Sequence, residues 1–524
     1  MPSMPTAPRP AVARAVAAIV TILSVGAILR LWDLAHLPPA HYRDVAITAL
    51  DALSAAAGHP RLHYVYDEGL FANLMGLVFL VLGAGDAAVR LPGALAGLAT
   101  CYGVARLGRA LGAPRAGLYG AALLAVSLWH VILSRSGFRA VLLPLVLVFS
   151  MALLVEGLRG GRTWRMAGAG ALFGLMAHTY PASRAAVLIV PLYLSAELGL
   201  DSTAWRRATR GLLLFALTAS VVAGPMLVHY LRHPRDFNNP DRIVSVFSPR
   251  LEAGAAGAYL KQNVAATAGM FHLRGDTNGR HNLPGAPLLD PLTGALFIAG
   301  LLIALGMPGG RFAGLAARPR GTAGLLLAWV PVMLLPNLLS VEGVPHALRS
   351  AGVLPAVMLL AGFGAQAAVE FLGARAGRRV TVAVVILAGL LMAGATARRY
   401  FVVWGRDPAI AAAHDAAYRA AARLLLAAPP GVGRYLVANG TGFPVHGHPA
   451  EVQSYMFELR AAPPVILGPK DAAALVLGGR PALVALVRRD DTILEVIRNL
   501  NPGATIEAVT APGLSPDSPV YRIN

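Results

Sequence analysis

Three acidic residues lie where the long apolar runs of this chain begin or end. Asp44 belongs to the stretch PPAHYRDVAITAL, residues 38–50, which follows the first apolar run and has the pattern of a short amphipathic helix. Asp67 and Glu68 stand just before the next run. A carboxylate at such a boundary can take a proton from an incoming hydroxyl group, because partial burial raises its pKa toward neutrality. The alternative is structural, since acidic residues also stabilise the N-termini of helices.

Arginine, histidine and tyrosine interrupt two later apolar runs. The segment SLWHVILSRSGFR contains His130, Arg135 and Arg139, and the segment GLMAHTYPASR contains Tyr180 and Arg184. A guanidinium group can hold a phosphate with two N–H groups at once, so these arginines are candidate phosphate ligands. Each residue type also has an ordinary role: arginines reach toward lipid headgroups, histidines hydrogen-bond inside helix bundles, and tyrosines lie in the aromatic belt of the membrane.

A polar loop that contains glycine forms a further candidate group. The segment GDTNGRHN supplies Asp276, Asn278, Arg280 and Asn282. The later segment VEGVPHALRS adds His346 and Arg349. We predict that the loop lines the acceptor side of a cleft and that Arg349 contacts phosphate. His346 either binds substrate or makes a hydrogen bond within the bundle.

The composition is that of a membrane protein with several spans. The 524 residues are 56% hydrophobic and only 14% charged, with a mean hydropathy of +0.60. Basic residues exceed acidic ones by 45 to 26, but they are distributed over many loops, which argues against a nucleic-acid-binding patch. Cys101 is the single cysteine, so neither a disulfide framework nor a cysteine metal site can form within the chain.

The sequence contains about twelve apolar runs that are long enough to cross a membrane. The predicted spans are 12–31, 68–84, 87–108, 114–133, 139–158, 164–180, 183–199, 210–231, 289–307, 321–340, 350–372 and 379–398. The first of these is too long for the apolar core of a cleaved signal peptide, so we expect it to be retained.

Arginine clusters in the short loops predict the orientation of these spans. We expect all of these clusters on the cytoplasmic side: Arg9 and Arg14; Arg106, Arg109 and Arg115; Arg159, Arg162 and Arg165; Arg206, Arg207 and Arg210; Arg311, Arg318 and Arg320; Arg375, Arg378 and Arg379. The loops 32–67, 134–138, 232–288 and 341–349 then face outward, together with everything after 399. The candidate residues all belong to outer loops or to the outer ends of spans.

The composition changes after about residue 405. The segment AAAHDAAYRAAARLLLAA predicts an amphipathic helix, while RYLVAN, PALVALV, ATIEAV and PVYRIN predict short strands around the helix TILEVIRNL. We therefore expect a membrane domain over 1–400 and a small α/β domain over 405–524.

The motifs WHVILSRSGFR and GLMAHTYPASR, with an acid in the first outer loop, resemble the C-fold membrane glycosyltransferases. The resemblance is to the family that includes protein O-mannosyltransferases and aminoarabinose transferases (glycosyltransferase family 39-like), and it covers residues 10 to about 200. It implies an all-α polytopic fold with a small C-terminal α/β domain. It further implies transfer of a sugar from a polyprenyl-phosphate donor to a protein, lipid or glycan acceptor at the outer face of the inner membrane.

The resemblance also suggests roles for individual residues. It makes Asp44 the catalytic carboxylate, Arg135, Arg139, Arg184 and Arg349 the donor-phosphate ligands, and Asp67, Glu68, His130, Tyr180, Asp276, Asn278 and His346 the substrate-binding residues. Family members often have Asp-Glu in the first loop, whereas Val45 follows Asp44 here. We therefore predict no metal ligand, although a divalent cation stays an open option. A partner for Arg43 or Arg30 is the alternative role for Asp44.

A transporter or flippase for a lipid-linked sugar is the rival function, because many spans with buried charge also describe secondary transporters. Transporters tend to have paired halves with interrupted helices at corresponding positions near the midplane, whereas the polar residues here gather at one face. A catalytically inactive scaffold is a third option. The sequence has no phosphate-binding P-loop, Rossmann glycine pattern or HExxH motif, which argues against nucleotide-driven transport and a zinc protease.

Overall fold

The structure is a computed structural model that describes residues 9–65, 67–237, 244–248, 251–252, 254–306 and 320–524. The side chains of residues 9–12 and 320 are outside this description. Of the predicted cytoplasmic clusters, Arg311 and Arg318 therefore lie outside the described residues, as do the side chains of Arg9 and Arg320. Part of the predicted outer loop 232–288 also falls there.

Helices account for most of the described chain. In order they are α1 (Arg9–Leu31), α2 (Arg43–Ala56), α3 (Leu70–Leu82), α4 (Asp86–Ala110), α5 (Pro114–Val126), α6 (Leu128–Arg135), α7 (Leu142–Gly160), α8 (Thr163–Leu175), α9 (Ser183–Ala186), α10 (Ile189–Leu198), α11 (Ser202–Arg232), α12 (Ala255–Gly269), α13 (Pro291–Ala304), α14 (Arg320–Leu338), α15 (Leu354–Ala397), α16 (Pro408–Ala413), α17 (Ala416–Leu426), α18 (Gln453–Glu458), α19 (Pro469–Ala472) and α20 (Asp491–Leu500). Short 3-10 turns precede α7, follow α8, and precede α15 and α18, and a π-helical stretch, Arg398–Trp404, follows α15.

The chain forms two compact units. The first contains Met1–Leu34, Arg61–Phe71 and Arg90–Trp404, and the second contains Ala35–Pro60, Ala72–Val89 and Gly405–Asn524. The second unit thus includes two segments from the predicted membrane domain besides the C-terminal tail. The division of the chain at 1–400 and 405–524 remains a prediction.

Six helical stretches in the described residues are long and apolar enough to cross a membrane. They are Ala13–Leu31, Asp86–Ala110, Arg139–Gly160, Ser202–Arg232, Gly321–Leu338 and Ala351–Trp404. A bent pair, Pro114–Val126 with Leu128–Arg135, makes a seventh if it counts as one span. The last stretch contains two helices joined at Gly377, whose φ of 77° is left-handed, in agreement with the predicted break between 350–372 and 379–398.

The other predicted spans are too short to pass this test, which explains the difference from the predicted count of about twelve. Helix α8 has 13 residues and therefore rises about 20 Å, less than the roughly 30 Å of a bilayer core. Helices α3 and α13 are apolar but have only 13 and 14 residues. The apolar runs are present, but turns end the helices early.

Helices α8 and α11 of the first unit pack closely because glycine occupies the contact. A Cβ atom at Gly174 would lie 3.0 Å from the backbone nitrogen of Ala223 and 3.1 Å from the carbonyl carbon of Ala219. A Cβ atom at Gly170 would likewise lie too close to the backbone of Phe215. Such contacts are a common way for membrane helices to pack.

The second unit is built around a five-stranded sheet with the order β4-β1-β5-β7-β6. Strands β1 (Gly433–Val437), β4 (Val465–Leu467) and β5 (Ala482–Leu486) are parallel. Strand β7 (Val520–Ile523) pairs antiparallel with β5 on one side and with β6 (Ile506–Ala508) on the other. Strands β2 (Pro444–Val445) and β3 (His448–Pro449) form a separate hairpin. The four strands predicted from the sequence are present, and the sequence analysis missed β4 and the two-residue strands of the hairpin.

The alternation of buried residues in β5 explains why helices cover both faces of this sheet. Leu483 and Ala485 pack in a cluster with residues of α17 and α18, while Val484 and Leu486 pack in a second cluster with residues of α20. Successive side chains of a strand point to opposite faces, so an all-apolar strand needs a layer on each side.

The single amphipathic helix predicted over 411–428 is two helices, α16 and α17. Asp415 lies between them with φ 58°, a left-handed conformation that non-glycine residues rarely adopt and that ends the first helix. Helix α2, which contains Asp44, belongs to this same unit and packs on α18. In its middle, the Oδ1 atom of Asp51 lies 2.9 Å from Nε2 of His446.

We expect Gly174→Ala to lower the melting temperature of the purified protein in detergent. The added methyl group meets the backbone of α11, and such overpacking costs about 1–3 kcal/mol. Gly224→Ala in α11 is the matched control, because nothing lies within 4 Å of the place that its Cβ would take. Equal melting temperatures for the two variants would show that the close contact is not required.

The hydrogen bond with Asp51 predicts a pH-dependent stability of the second unit. That bond raises the pKa of His446, outweighing the opposing effect of burial, and a bond to Gln453 adds to it. A raised pKa in the folded state means that the stabilisation is complete below the unfolded pKa of about 6.5 and is lost as pH rises through the folded value. The melting temperature of the wild type should therefore exceed that of Asp51→Asn most at about pH 6, and the difference should shrink toward pH 9. A difference independent of pH would contradict this assignment.

Candidate active site

Arg139 binds two carboxylates in the first unit. Its Nη1 lies 2.6 Å from Oδ1 of Asp67, and its Nε lies 3.0 Å from Oε2 of Glu68. The Glu68 side chain is only 4% exposed. A single guanidinium group shared by two acids leaves this cluster with a net negative charge, which Arg184 nearby reduces.

The loop before α3 brings the two acids to Arg139. The backbone N–H of Tyr64 donates to the carbonyl of Asp67, and that of Gly69 donates to the carbonyl of Leu62, so the chain doubles back before the helix starts. A Cβ at Gly69 would lie 2.9 Å from the Leu62 carbonyl oxygen, so this turn needs glycine. Arg139 itself begins the 3-10 turn Arg139–Val141 that leads into α7.

Aromatic rings complete the cluster. The hydroxyl of Tyr230 donates to Oε1 of Glu68 at 3.1 Å. The guanidinium of Arg139 lies 5.5 Å from the ring centre of Tyr180, and that of Arg184 lies 5.7 Å from Tyr230. The structure therefore groups Asp67, Glu68, Arg139, Tyr180 and Arg184, and their position at the outer face stays a prediction.

A cavity of about 420 Å³ adjoins this cluster. Its polar lining comes from Glu68, Ser183, Arg184, Ser220 and Tyr230. Most of the lining is apolar, with residues such as Phe173, Ala219 and Leu227. Close packing of α8 on α11 at Gly174, itself a lining residue, shapes one wall. The cavity can accommodate an apolar chain that ends in a charged group.

Tyr230 is the residue that the sequence analysis missed. It stands in HYLRHP at the end of α11, where a tyrosine is easily taken for a member of the aromatic belt. His229, beside it, lies 2.9 Å from Asp236, and its ring stacks on His63 with centroids 4.6 Å apart. His63 and His229 are far apart in the sequence, so no local pattern indicates that they form one group with Asp236.

Arg135 lies at the end of α6, inside the helix bundle. Its side chain is completely buried, and its guanidinium donates to the carbonyls of Leu29, Arg30, Trp32 and Asp33 at the end of α1. A cation at a helix C-terminus satisfies carbonyl groups that lack partners in the helix. These bonds engage both Nη atoms of Arg135, and its contact with a donor phosphate stays a prediction.

His130 is likewise inside the helix bundle. Its ring is fully buried, and Nδ1 lies 2.9 Å from Nη2 of Arg30. Arg30 also donates to the carbonyls of Gly26, Leu124 and Ala125. The hydrogen bond within the bundle that was considered for this histidine is present, and substrate binding by His130 stays a prediction.

Asp276, Asn278 and His346 form a second group with His281. The Oδ2 atom of Asp276 accepts a hydrogen bond from the backbone N–H of Ala347 at 2.8 Å and lies 3.3 Å from Nδ1 of His281. Burial and the nearby His281 hold the pKa of His346 well below its usual value. These contacts connect the loops around 276–282 and 346–349, and the role of this group as an acceptor site remains a prediction.

Arg349 and Asn278 also make contacts within these loops. Arg349 donates from Nη1 to the carbonyl of Glu342 at 2.7 Å. Asn278 accepts from Nε of Arg280 at 2.9 Å. Contact of Arg349 with a donor phosphate therefore stays a prediction.

Asp44 lies in the first turn of α2, in the second unit, and is exposed. The partial burial expected for it is not observed. Helix α2 begins at Arg43, and its N-cap position is Tyr42, which makes no side-chain capping bond. Asp44 therefore does not occupy the N-cap position.

Three groups of described side chains have the donor atoms that a divalent cation uses. They are His63, His229 and Asp236; Asp276, His281 and His346; and His41, Asp86 and Glu458. Within each group the ligand atoms lie within 4.8 Å of one another, and imidazole and carboxylate are suitable zinc ligands. Hydrogen bonds and ion pairs explain each group as well, so the metal requirement is open.

Comparisons with known proteins agree with this architecture. Residues 70–229 match the family described as dolichyl-phosphate-mannose-protein mannosyltransferase. A search of curated protein sequences finds no match. The fold is similar to that of ArnT from Cupriavidus metallidurans in the apo state, with a TM-score of 0.57, 16% identity, and coverage of 98% of both chains.

Two further solved structures share the fold. The same ArnT bound to undecaprenyl phosphate gives a TM-score of 0.53 at 16% identity, again over 98% of both chains. The Archaeoglobus fulgidus oligosaccharyltransferase tethered with an acceptor peptide gives 0.51 at 13% identity, over 94% of this chain and 69% of that one.

These matches define the class of protein: a membrane protein with the C-type glycosyltransferase fold. Within that class, the match over 70–229 confirms the resemblance to the protein O-mannosyltransferase type. The matched region contains Arg139, Tyr180 and Arg184 of the cluster.

Removing the charge of Arg139 should strongly destabilise the protein. Arg139→Gln leaves Asp67 and Glu68 facing each other without their shared cation, and breaking such a buried pair costs about 3–5 kcal/mol. The double variant Arg139→Gln with Asp67→Asn should recover part of the loss, as measured by the melting temperature in detergent. Arg106→Gln is the control, because its partner Glu156 retains Arg165 at 3.4 Å. A melting temperature of Arg139→Gln equal to that of the control would contradict the assignment.

Proposed function

We propose that this protein is an integral membrane glycosyltransferase that transfers a sugar from a polyprenyl-phosphate donor to an acceptor. The observation that carries the proposal is the 420 Å³ cavity, which is apolar along most of its lining and has Glu68, Arg184 and Tyr230 among its polar lining residues. This is the chemistry that a lipid phosphate presents: a hydrocarbon chain that enters apolar surroundings and an anion that needs hydrogen-bond donors and a cation.

Arg184 and Tyr230 have the suitable groups for the donor phosphate. Arg184 is a cation among the described lining residues of the cavity, and it lies 3.9 Å from the ring centre of Phe237. Arg139 is instead paired with two acids, so its role in this proposal is to position Glu68 and Asp67. As the sugar leaves, negative charge develops on the phosphate, and a cation there stabilises the transition state.

Asp44 is the proposed general base. Its exposed carboxylate can take the proton of an acceptor hydroxyl group as the oxygen attacks the anomeric carbon. Direct displacement of the lipid phosphate would invert the anomeric centre. ArnT is similar in fold and binds undecaprenyl phosphate, which supports a polyprenyl carrier, while the acceptor is a protein, a lipid or a glycan.

The finer architecture belongs to the same proposal. With a cytoplasmic N-terminus, the first span retained and an odd number of spans close to twelve, the site and the tail 405–524 would lie on the outer face of the inner membrane. Glu68, Asp67 and Tyr180 would contact the donor sugar. Asp276, Asn278 and His346 would line the acceptor side. If the enzyme uses a divalent cation, one of the three His-carboxylate groups would supply its ligands.

The test is sugar transfer from a panel of radiolabelled polyprenyl-phosphate donors in membranes that contain the wild type, Asp44→Asn or Arg184→Gln. We expect one donor to be consumed by the wild type, a loss of about 10²–10⁴-fold in kcat for Asp44→Asn, and mainly a higher donor KM for Arg184→Gln. Asp491→Asn, an exposed acid with a side chain 70% exposed, is the control.

Two results would overturn parts of the proposal. Full activity of a folded Asp44→Asn variant would remove Asp44 from the chemistry. If the wild type consumes no donor in the panel, the transporter alternative gains weight, and a flipping assay with a fluorescent lipid-linked sugar would follow.

A further inference from the structure

The segment that leads into the helix of Asp44 is held by side chains from the C-terminal tail, all within the second unit. Arg419 donates from Nη1 to the carbonyl of Pro39 at 3.1 Å, and Oγ of Ser454 donates to the carbonyl of His41 at 3.3 Å. The backbone N–H of Arg43 donates to Oδ2 of Asp415 at 3.1 Å. Pro39, His41 and Arg43 are thus each hydrogen-bonded through the backbone to a residue of the C-terminal tail.

The side chain of Arg43 makes the strongest of these connections. Its Nη1 lies 2.9 Å from Oε1 of Glu451, and its Nη2 lies 3.2 Å from Oδ1 of Asp415. Both acidic side chains are nearly buried, at 6% and 8% exposed. Charged groups that are paired and hydrogen-bonded in this way fix geometry, because losing one partner leaves the others buried without a counter-charge.

The two acids are themselves held by further donors. Glu451 accepts from Arg488 at 2.7 Å and from the backbone N–H of Thr441 at 2.9 Å. Although burial opposes it, these bonds and that from Arg43 bring the pKa of Glu451 to about 2, so it is ionised at neutral pH. Oγ of Ser454 also lies 3.2 Å from Oδ2 of Asp415, so its single hydroxyl proton is shared between Asp415 and the carbonyl of His41.

Asp415 has a backbone conformation that is costly for its residue type. Its φ of 58° is left-handed, where a side chain typically costs about 1 kcal/mol or more. In that conformation one carboxylate bonds both the backbone and the side chain of Arg43. Asp44 is the next residue after Arg43, and the residues that follow, Val45 to Ala49, are buried.

We propose that the second unit positions Asp44 for the transfer step, with Arg43, Asp415 and Glu451 as positioning residues. The inference rests on the proposed function, in which Asp44 is the base. Residues 39–43 are fixed by the tail, so the exposed carboxylate extends from a helix end that has little freedom. Displacement of a reacting group by about 1 Å can cost a factor of about 100 in rate.

The first experiment separates rate from binding in Arg43→Gln and Arg43→Lys. We expect kcat to fall about 10- to 100-fold in Arg43→Gln with the donor KM within about twofold of the wild type, and Arg43→Lys to recover part of kcat. Arg489→Gln, in the same unit with a side chain 58% exposed, should leave kcat unchanged. A purely structural role would instead lower the amount of active enzyme in proportion to the folded fraction.

The second experiment does not depend on activity. A nitroxide label on Asp44→Cys reports local motion, and Cys101 is buried and should not react. We expect an immobilised spectrum in the otherwise unchanged chain and a mobile one when Arg43→Gln is added. If Arg43→Gln does not fold, Ser454→Ala, which removes the bonds to His41 and Asp415, replaces it in both experiments.

The outcomes distinguish this inference from the proposed function. A wild type without transfer activity would overturn the proposed function, while the label would still report whether the tail holds the helix end. Wild-type transfer with an unchanged kcat in Arg43→Gln, or an unchanged spectrum, would overturn the positioning role alone.

Discussion

Charge in apolar surroundings must be paired, and the structure of this protein follows from how each charge finds a partner. Arg139 is shared by Asp67 and Glu68, and Tyr230 donates to the remaining oxygen of Glu68. Arg135 instead satisfies the open carbonyls at the end of α1. Since an unpaired ion inside a membrane protein costs several kcal/mol, each of these side chains fixes the backbone that supplies its partners.

Two arginines only four residues apart show what the sequence could and could not predict. Arg135 and Arg139 share a motif and were given one role, yet the first ends α6 in the bundle and the second begins a new turn beside Asp67 and Glu68. The break at residues 136–138 rotates them apart, and hydropathy carries no information about that rotation. The apolar periodicity was sufficient to predict the long helices, the broken run at Gly377 and four of the strands.

The convergence of Asp67, Glu68, Arg139, Tyr180 and Arg184 was predictable because all were expected at one end of their spans. Tyr230 was not, since a tyrosine at a helix end has a common lipid-facing role. Local sequence patterns also could not predict the contacts between segments that are distant in the chain. Nothing in PPAHYRDVAITAL indicates that its backbone bonds to Arg419, Ser454 and Asp415.

The position of Asp415 has a consequence for how the protein is made. The backbone N–H of Arg43 is bonded to a residue 372 positions later in the chain. A ribosome releases the segment around Asp44 long before Asp415 is synthesised, because 372 residues separate Arg43 from Asp415. The carboxylate proposed to act in the reaction is therefore held in place only in chains that extend past Asp415, and products truncated before it lack this restraint.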